Sequence, residues 1–348
     1  MKKLLLACLA AFAYTVCAEN PVPKNIILFI GDGMGLSQVT AGKVAKGKLE
    51  MERCPVTGLA TTWSDNSLVT DSAAAATALS TGVKTRNGAL GIAPDGTRLK
   101  NIIEYAEEKG KATGVAVVCA LTHATPAGFI VHVSGRKMES EIAEQIAASD
   151  VDVLFGSGLS HFAAANNPSL PVLQRKMTVA QTAEEFRNIG IPQKAAALLY
   201  PLHPPYAAER NVSLKELTQK AIEILAQDKD GFFLMVEGSQ IDWACHKNDG
   251  TNAVSEVVDF DTAVGAGLDF AEKNGETLVI ITADHETGGF ALIGGSVENK
   301  TVDGTGFTQK EHTAAMVPLF AYGPGSSLFS GIHDNTDIGK AMIHYIME

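Results

Sequence analysis

The chain has 348 residues and a formal net charge of −11, from 39 acidic against 28 basic side chains. That balance argues against a nucleic-acid backbone as partner, since such binding is built on clustered lysine and arginine. No stretch beyond the first sixteen residues offers the roughly 20 apolar residues needed to span a bilayer, so the mature chain is expected to be soluble.

The chain opens with Lys2 and Lys3, an apolar stretch over 4–16, and then Val16-Cys17-Ala18. A charged start, a short apolar region and small residues before a cut form a secretory signal pattern. The stretch is too short for a membrane anchor. Lipidation fits poorly: Cys8 leaves almost no apolar region before it, and Cys17 follows Val16 rather than a small residue. A signal peptide over 1–18 is therefore expected, with a periplasmic or secreted mature protein. Loss of Lys2 and Lys3 takes the charge from −11 to −13. It leaves Cys54, Cys119 and Cys245, an odd and sparse set that is no disulfide framework. Cys119 reads as core, and Cys245 as a small residue on a packed helix.

Residues 19–348 are expected to form a single catalytic domain, since α/β folds of this length commonly stay undivided. Four apolar runs stand out: KNIILFIGDG (24–33), GVAVVCALTHAT (114–125), GFFLMVEGSQIDWACH (231–246) and TLVIITADHE (277–286). Each ends abruptly in Asp, His, Thr or Glu. Helical patterns over 99–109, 139–149 and 214–227 alternate with strand-like runs, which reads as βαβ units. The expected fold is α/β, with a large central mostly parallel sheet flanked by helices on both faces. Parallel strands buried on both faces are apolar throughout, and open α/β sheets bind ligands at the carboxyl ends of their strands. Acids and histidines are thus gathered at one edge, as in a metalloenzyme. Residues 161–210, rich in proline, read as an excursion covering the sheet or shaping the site. Residues 294–310 read as a surface loop.

Gly31-Asp32-Gly33 follows the first run. Its G-x-G-x-G spacing misfits a dinucleotide site, where Asp32 would stand in place of backbone N–H groups, and suits a divalent cation. Asp71-Ser72 opens an alanine-rich helix. Asp and Ser are favoured as helix caps, but a helix start also offers free N–H groups and partial positive charge for a phosphate. Serine is a weak nucleophile unless a base or metal activates it. Asp242 and His246 are four apart, so a helix places them on one face, and Asp284-His285 supplies a second Asp/His pair. Two such pairs suggest two transition-metal sites, with imidazole favouring zinc. Glu237 ends its strand within reach of a cation. Arg136 follows the Thr122–Thr125 segment, and an arginine fork matches phosphate.

Taken in order, IGDGMG, VTDSAAAATALSTGVKT, THATP, GR, EGSQIDWACH, TADHETGG and EHTAAMVPLFAYGPG resemble the alkaline phosphatase family. The resemblance implies that Ser72 is the nucleophile and forms a phosphoserine. It implies one zinc on Asp242, His246 and His312, a second on Asp32, Asp284 and His285, and a third ion on Asp32, Thr125 and Glu237. That third ion is usually magnesium. Asp71, Arg136, Trp243 and His123 would face the substrate, Arg136 as the phosphoryl clamp. His123 and Trp243 depart from relatives that carry Asp and Lys there, which opens the third site to zinc and removes a cation near the phosphate. The implied activity is hydrolysis of a broad range of phosphate monoesters at alkaline pH. Phosphodiester hydrolysis or phosphoryl transfer on the same metal core is the alternative. A sulfatase lacks support, as no C-x-P-x-R segment is present, and a binding protein without turnover is the remaining class. The family commonly forms homodimers, and a monomer is compatible with this sequence.

Overall fold

The computed structural model describes residues 21–165, 167 and 169–348. The expected signal segment lies outside them. Fourteen strands run in chain order: β1 (Asn25–Gly31), β2 (Val56–Thr61), β3 (Ala112–Ala120), β4 (Val153–Ser157), β5 (Thr178–Ala180), β6 (Ala195–Leu198), β7 (Phe232–Gly238), β8 (Thr277–Thr282), β9 (Glu286–Thr287), β10 (Ala291–Ser296), β11 (Thr301–Gly306), β12 (His312–Thr313), β13 (Val317–Tyr322) and β14 (Gly331–Asp334). Ten of them make one sheet in the order β14-β2-β13-β8-β1-β7-β3-β4-β6-β5. Only β13 runs against its neighbours, β2 and β8; every other pairing is parallel.

The four central strands β8, β1, β7 and β3 are buried at every position. Helices on both faces make this possible, and the strands are accordingly near-continuous runs of Ile, Val, Leu and Phe. A carboxylate can appear only where such a strand leaves the core. Asp32, Glu237 and Asp284 stand at or just beyond the carboxyl ends of β1, β7 and β8, which are adjacent in the sheet.

The alanine run forms the helix Ser72–Thr81, buried along its whole length. Its small side chains let other backbones close in. A Cβ on Gly128 would come within 2.7 Å of Ala76 Cβ, and one on Gly339 within 2.7 Å of the Ala78 and Leu79 carbonyls. The three helical patterns appear as Ile102–Glu108, Glu139–Ala148 and Leu214–Leu225. The first starts three residues later than expected because Asn101 caps it, accepting from Glu104 N–H at 3.1 Å.

One expectation needs amendment. Residues 294–310 are not simply a loop, since β10 and β11 pair into a hairpin. Gly294 and Gly304 face each other so closely that side chains would collide, and that glycine content hid the strands. The 161–210 excursion adds β5 and β6 to the edge of the main sheet. It also sends His203 back towards Trp243. Among the described residues the three cysteines are free and buried, as expected, and no helix is long and apolar enough to cross a membrane.

Candidate metal centre

The acids and histidines read from the sequence converge at the carboxyl edge of the sheet. Asp32 Oδ1 and Asp284 Oδ2 lie 3.5 and 3.2 Å from His285 Nε2, and Ser72 Oγ lies 3.3 Å from the same nitrogen. The second group is built on the helix Gln240–His246. Asp242 Oδ2 is 3.3 Å from His246 Nε2, and Asp242 Oδ1 is 3.5 Å from His312 Nε2. His312 arrives on β12, which pairs with β9 directly after His285, and its ring stacks on that of His285 with centroids 3.5 Å apart.

Tautomers follow from the hydrogen bonds. His246 Nδ1 faces the Lys310 carbonyl and His312 Nδ1 lies 2.9 Å from the Thr70 carbonyl. Carbonyl oxygens only accept, so both rings carry their proton on Nδ1. Their Nε2 atoms then face each other 3.2 Å apart with two lone pairs and no proton between neutral rings. That contact is repulsive unless a cation joins it, either a second proton on His246 Nε2 donated to Asp242 in the metal-free protein, or a metal ion in its place. Outer hydrogen bonds of this kind orient metal-ligating histidines.

Carboxylate placement makes the same point. Asp32 is fully buried, and neither Oδ1 nor Oδ2 has a hydrogen-bond partner. Asp284 Oδ2, Glu237 Oε1 and Thr125 Oγ1 are likewise buried without one. Burial, then the charges of Asp284, Asp242 and Glu237, push the Asp32 carboxyl well above the usual range. Burial also lifts Asp284 to about 6 and Glu237 to about 7. Burial would raise Asp242 too, but its hydrogen bond to His246 and the neighbouring His285 and His312 hold it below the usual range. A buried, unpaired carboxylate is costly unless it coordinates a metal. These residues fit metal ions, and this edge of the sheet is a candidate metal centre.

Three groups bring one donor atom per residue within 4.8 Å of one another: Asp32, Asp284 and His285; Asp242, His285 and His312; and Cys119, His123 and Glu237. The last differs in part from the expected third set. Glu237 is shared, Thr125 Oγ1 is buried without a partner, and His123 and Cys119 are additions, Cys119 being part of the core as expected. Its thiol donates to Glu237 Oε2 at 3.4 Å. His123 Nδ1 is buried without a partner, and burial, followed by Arg136, pushes its imidazole down to about 3. Cys245 stays outside the cluster: Gln38 Nε2 donates to its sulfur at 3.7 Å, and burial pushes the thiol up to about 12.

Ser72 is the first residue of its helix and is buried. Asp71 caps that helix, accepting from Ala74 N–H at 3.0 Å through Oδ1. Its other oxygen accepts from Gly88 N–H at 3.0 Å and from Arg136 Nη1 at 3.1 Å. One side chain therefore sets both the serine and the arginine. Arg136 Nη2 lies 3.4 Å from His123 Nε2. Trp243 meets His123 edge-on at 5.4 Å and His203 at 4.5 Å, so its ring forms a neutral wall beside the two imidazoles. Sequence reasoning missed His203, whose Nδ1 accepts from Ala120 N–H at 3.1 Å, because its proline-rich surroundings carry no motif.

These shifts give a sign for the metal-free protein. The hydrogen bond to Asp242 lifts His246 from its usual 6.5 to about 9. The folded state therefore binds more protons between those values, and the contribution is complete below pH 6.5 and lost as pH rises to 9. Glu237, lifted to about 7, acts in the same direction at lower pH. Buried His285 and His123, held neutral, oppose this only below pH 6.5. The chelated protein should thus melt at progressively lower temperature from pH 6.5 to 9, and the metal-loaded protein should not. A metal-free melting temperature that rises across that interval contradicts the charge distribution described.

A sequence profile described as "Alkaline phosphatase" matches residues 23–182, 198–304 and 296–347. The chain is 33% identical to alkaline phosphatase 3 of Bacillus subtilis, over 97% of this chain and 96% of that protein. It is 32% identical to the alkaline phosphatase of Escherichia coli, over 92% and 85%. The structure of an alkaline phosphatase from the Antarctic bacterium TAB5 superposes with a TM-score of 0.88 at 40% identity, covering 94% of this chain and 99% of that one. With the sheet order and the acid–histidine edge already in place, these matches settle the family: the chain belongs to the alkaline phosphatases.

Proposed function

We propose that this chain, a metal-dependent phosphomonoesterase of the alkaline phosphatase family, acts through Ser72. The observation that carries the reading is the position of Ser72 Oγ, 3.3 Å from His285 Nε2 at the start of a buried helix. Ser72 attacks phosphorus in line, the ester oxygen leaves as alcohol, and water then releases phosphate from the phosphoserine. Arg136 holds two phosphoryl oxygens, and Asp71 keeps its fork oriented. The free N–H groups at the helix start add partial positive charge towards the phosphoryl oxygens.

Asp242, His246 and His312 would hold one zinc ion, and Asp32, Asp284 and His285 the other. When bound, two such ions supply Lewis-acid stabilisation of the attacking and leaving oxygens. Asp32, Thr125 and Glu237 would hold a third ion. Magnesium is the family's expectation, but His123 and Cys119 beside Glu237 supply nitrogen and sulfur donors that suit zinc. A single domain over 19–348 with its excursion at 161–210, a homodimer and an extracytoplasmic location after signal cleavage complete the proposal. The test of the activity is hydrolysis of p-nitrophenyl phosphate beside bis-p-nitrophenyl phosphate at alkaline pH. Fast monoester turnover abolished by chelation supports it; diester preference would move the function to a phosphodiesterase.

Trp243 offers a separate check. Trp243→Lys adds a cation where the wall is now neutral. Inhibition by inorganic phosphate should tighten about fivefold, the equivalent of about 1 kcal/mol from one nearby charge. Unchanged inhibition would show that position 243 does not face the phosphate.

A further inference from the structure

Thr287 follows His285 by two residues on β9, and its side chain is fully buried. Its Oγ1 lies 2.5 Å from Asp242 Oδ1 and 3.2 Å from His285 Nδ1. A hydroxyl carries one proton. The Asp242 oxygen only accepts, so that proton points to it. The Thr287 oxygen is left to accept from His285, which places the imidazole proton on Nδ1. His285 Nε2 then presents a lone pair among the oxygens of Asp32, Asp284 and Ser72.

One hydroxyl thus orients an acid of one metal group and fixes the tautomer of an imidazole in the other. The backbone of the same residue adds two ties. Thr287 N–H donates to the Gly33 carbonyl at 3.2 Å, next to Asp32, and Thr287 pairs with His312 across β9 and β12. There is little slack around it. Gly33 has φ +75°, and a Cβ there would come within 2.8 Å of both Thr287 Oγ1 and Asp242 Cα.

We propose that Thr287 is a positioning residue that couples the two metal groups through the chain His285 Nδ1–H, Thr287 Oγ1–H, Asp242 Oδ1. The inference rests on Asp242 and His285 being metal ligands. Hydrogen-bond partners behind metal ligands typically contribute 10–100-fold to affinity.

The experiment is zinc retention against graded chelator for full-length wild type, Thr287→Val, Thr287→Ser and Asp242→Ala. Valine should release zinc at chelator levels about 10–100-fold lower than wild type, and serine, which restores the hydroxyl, within about threefold of it. Thr287→Ala should behave as valine, and supplies the comparison if the valine chain does not fold. Zinc held as tightly by the valine or alanine variant as by wild type overturns the coupling. So does serine that loosens zinc as much as valine, because packing of the methyl group would then be the cause. Asp242→Ala separates the two levels: if it keeps its full zinc content, the ligand assignment falls. If it loses zinc while the valine variant keeps it, only the role of Thr287 falls.

Discussion

Replacing Ser72 with alanine is expected to lower turnover of a simple phosphate monoester by about a thousandfold or more, with metal content unchanged. The size follows from losing the nucleophile, whose removal elsewhere leaves only the catalysis supplied by binding and electrostatics. The selectivity follows from the geometry. Ser72 contributes a hydroxyl at the edge of the His285 group, whereas Asp32, Asp284 and His285 supply the convergent donors. The helix itself should persist, because its cap is the neighbouring Asp71 and alanine is the best helix former. A change in stability within about 1 kcal/mol is therefore expected. Kinetics beside metal analysis of the purified variant checks this. Near-wild-type turnover would remove Ser72 from the reaction.

Asp32→Asn should act in opposite directions on stability and activity. In the metal-free protein the Asp32 carboxyl is fully buried, lacks a hydrogen-bond partner, and lies within the field of Asp284, Asp242 and Glu237. Its raised proton affinity means that the ionised form destabilises the fold above the ordinary carboxylate range. A neutral amide of the same shape removes that charge, and the metal-free protein should melt about 2–4 °C higher at pH 8. The same change strips a donor from the metal centre. Turnover should fall at least about a hundredfold, beyond what the loss of an outer hydrogen-bond partner costs. A variant that melts lower without metal, or keeps both its metal and its rate, would contradict the account.

Much of this site was visible in the chain because burial leaves a mark on sequence. Strands β8, β1, β7 and β3 are covered on both sides, so their residues are apolar until the chain leaves the core. Asp32, Glu237 and Asp284 appear at those exits. The four-residue spacing of Asp242 and His246 needs only a helix to become a pair. Other parts depend on contacts that no local pattern carries. Thr287 looks like any β-branched residue until β9 meets β12 and brings it between Asp242 and His285. His203 gains meaning only when β5 and β6 extend the sheet and their return segment reaches Trp243. Cys119 was concealed by its own strand: an apolar run predicts burial, and burial says nothing about a thiol that meets Glu237. Glycine hid the β10–β11 hairpin because Gly294 and Gly304 pack backbone against backbone.

The most direct test of the central claim is to quench the metal-replete enzyme during turnover of a phosphate monoester, or after incubation with inorganic phosphate at mildly acidic pH, and to map the modified peptide by mass spectrometry. One phosphoryl group on Ser72, absent after chelation, is the result this account predicts. An enzyme that turns over with Ser72 unmodified under every trapping condition, or with the phosphoryl group on another residue, would contradict it.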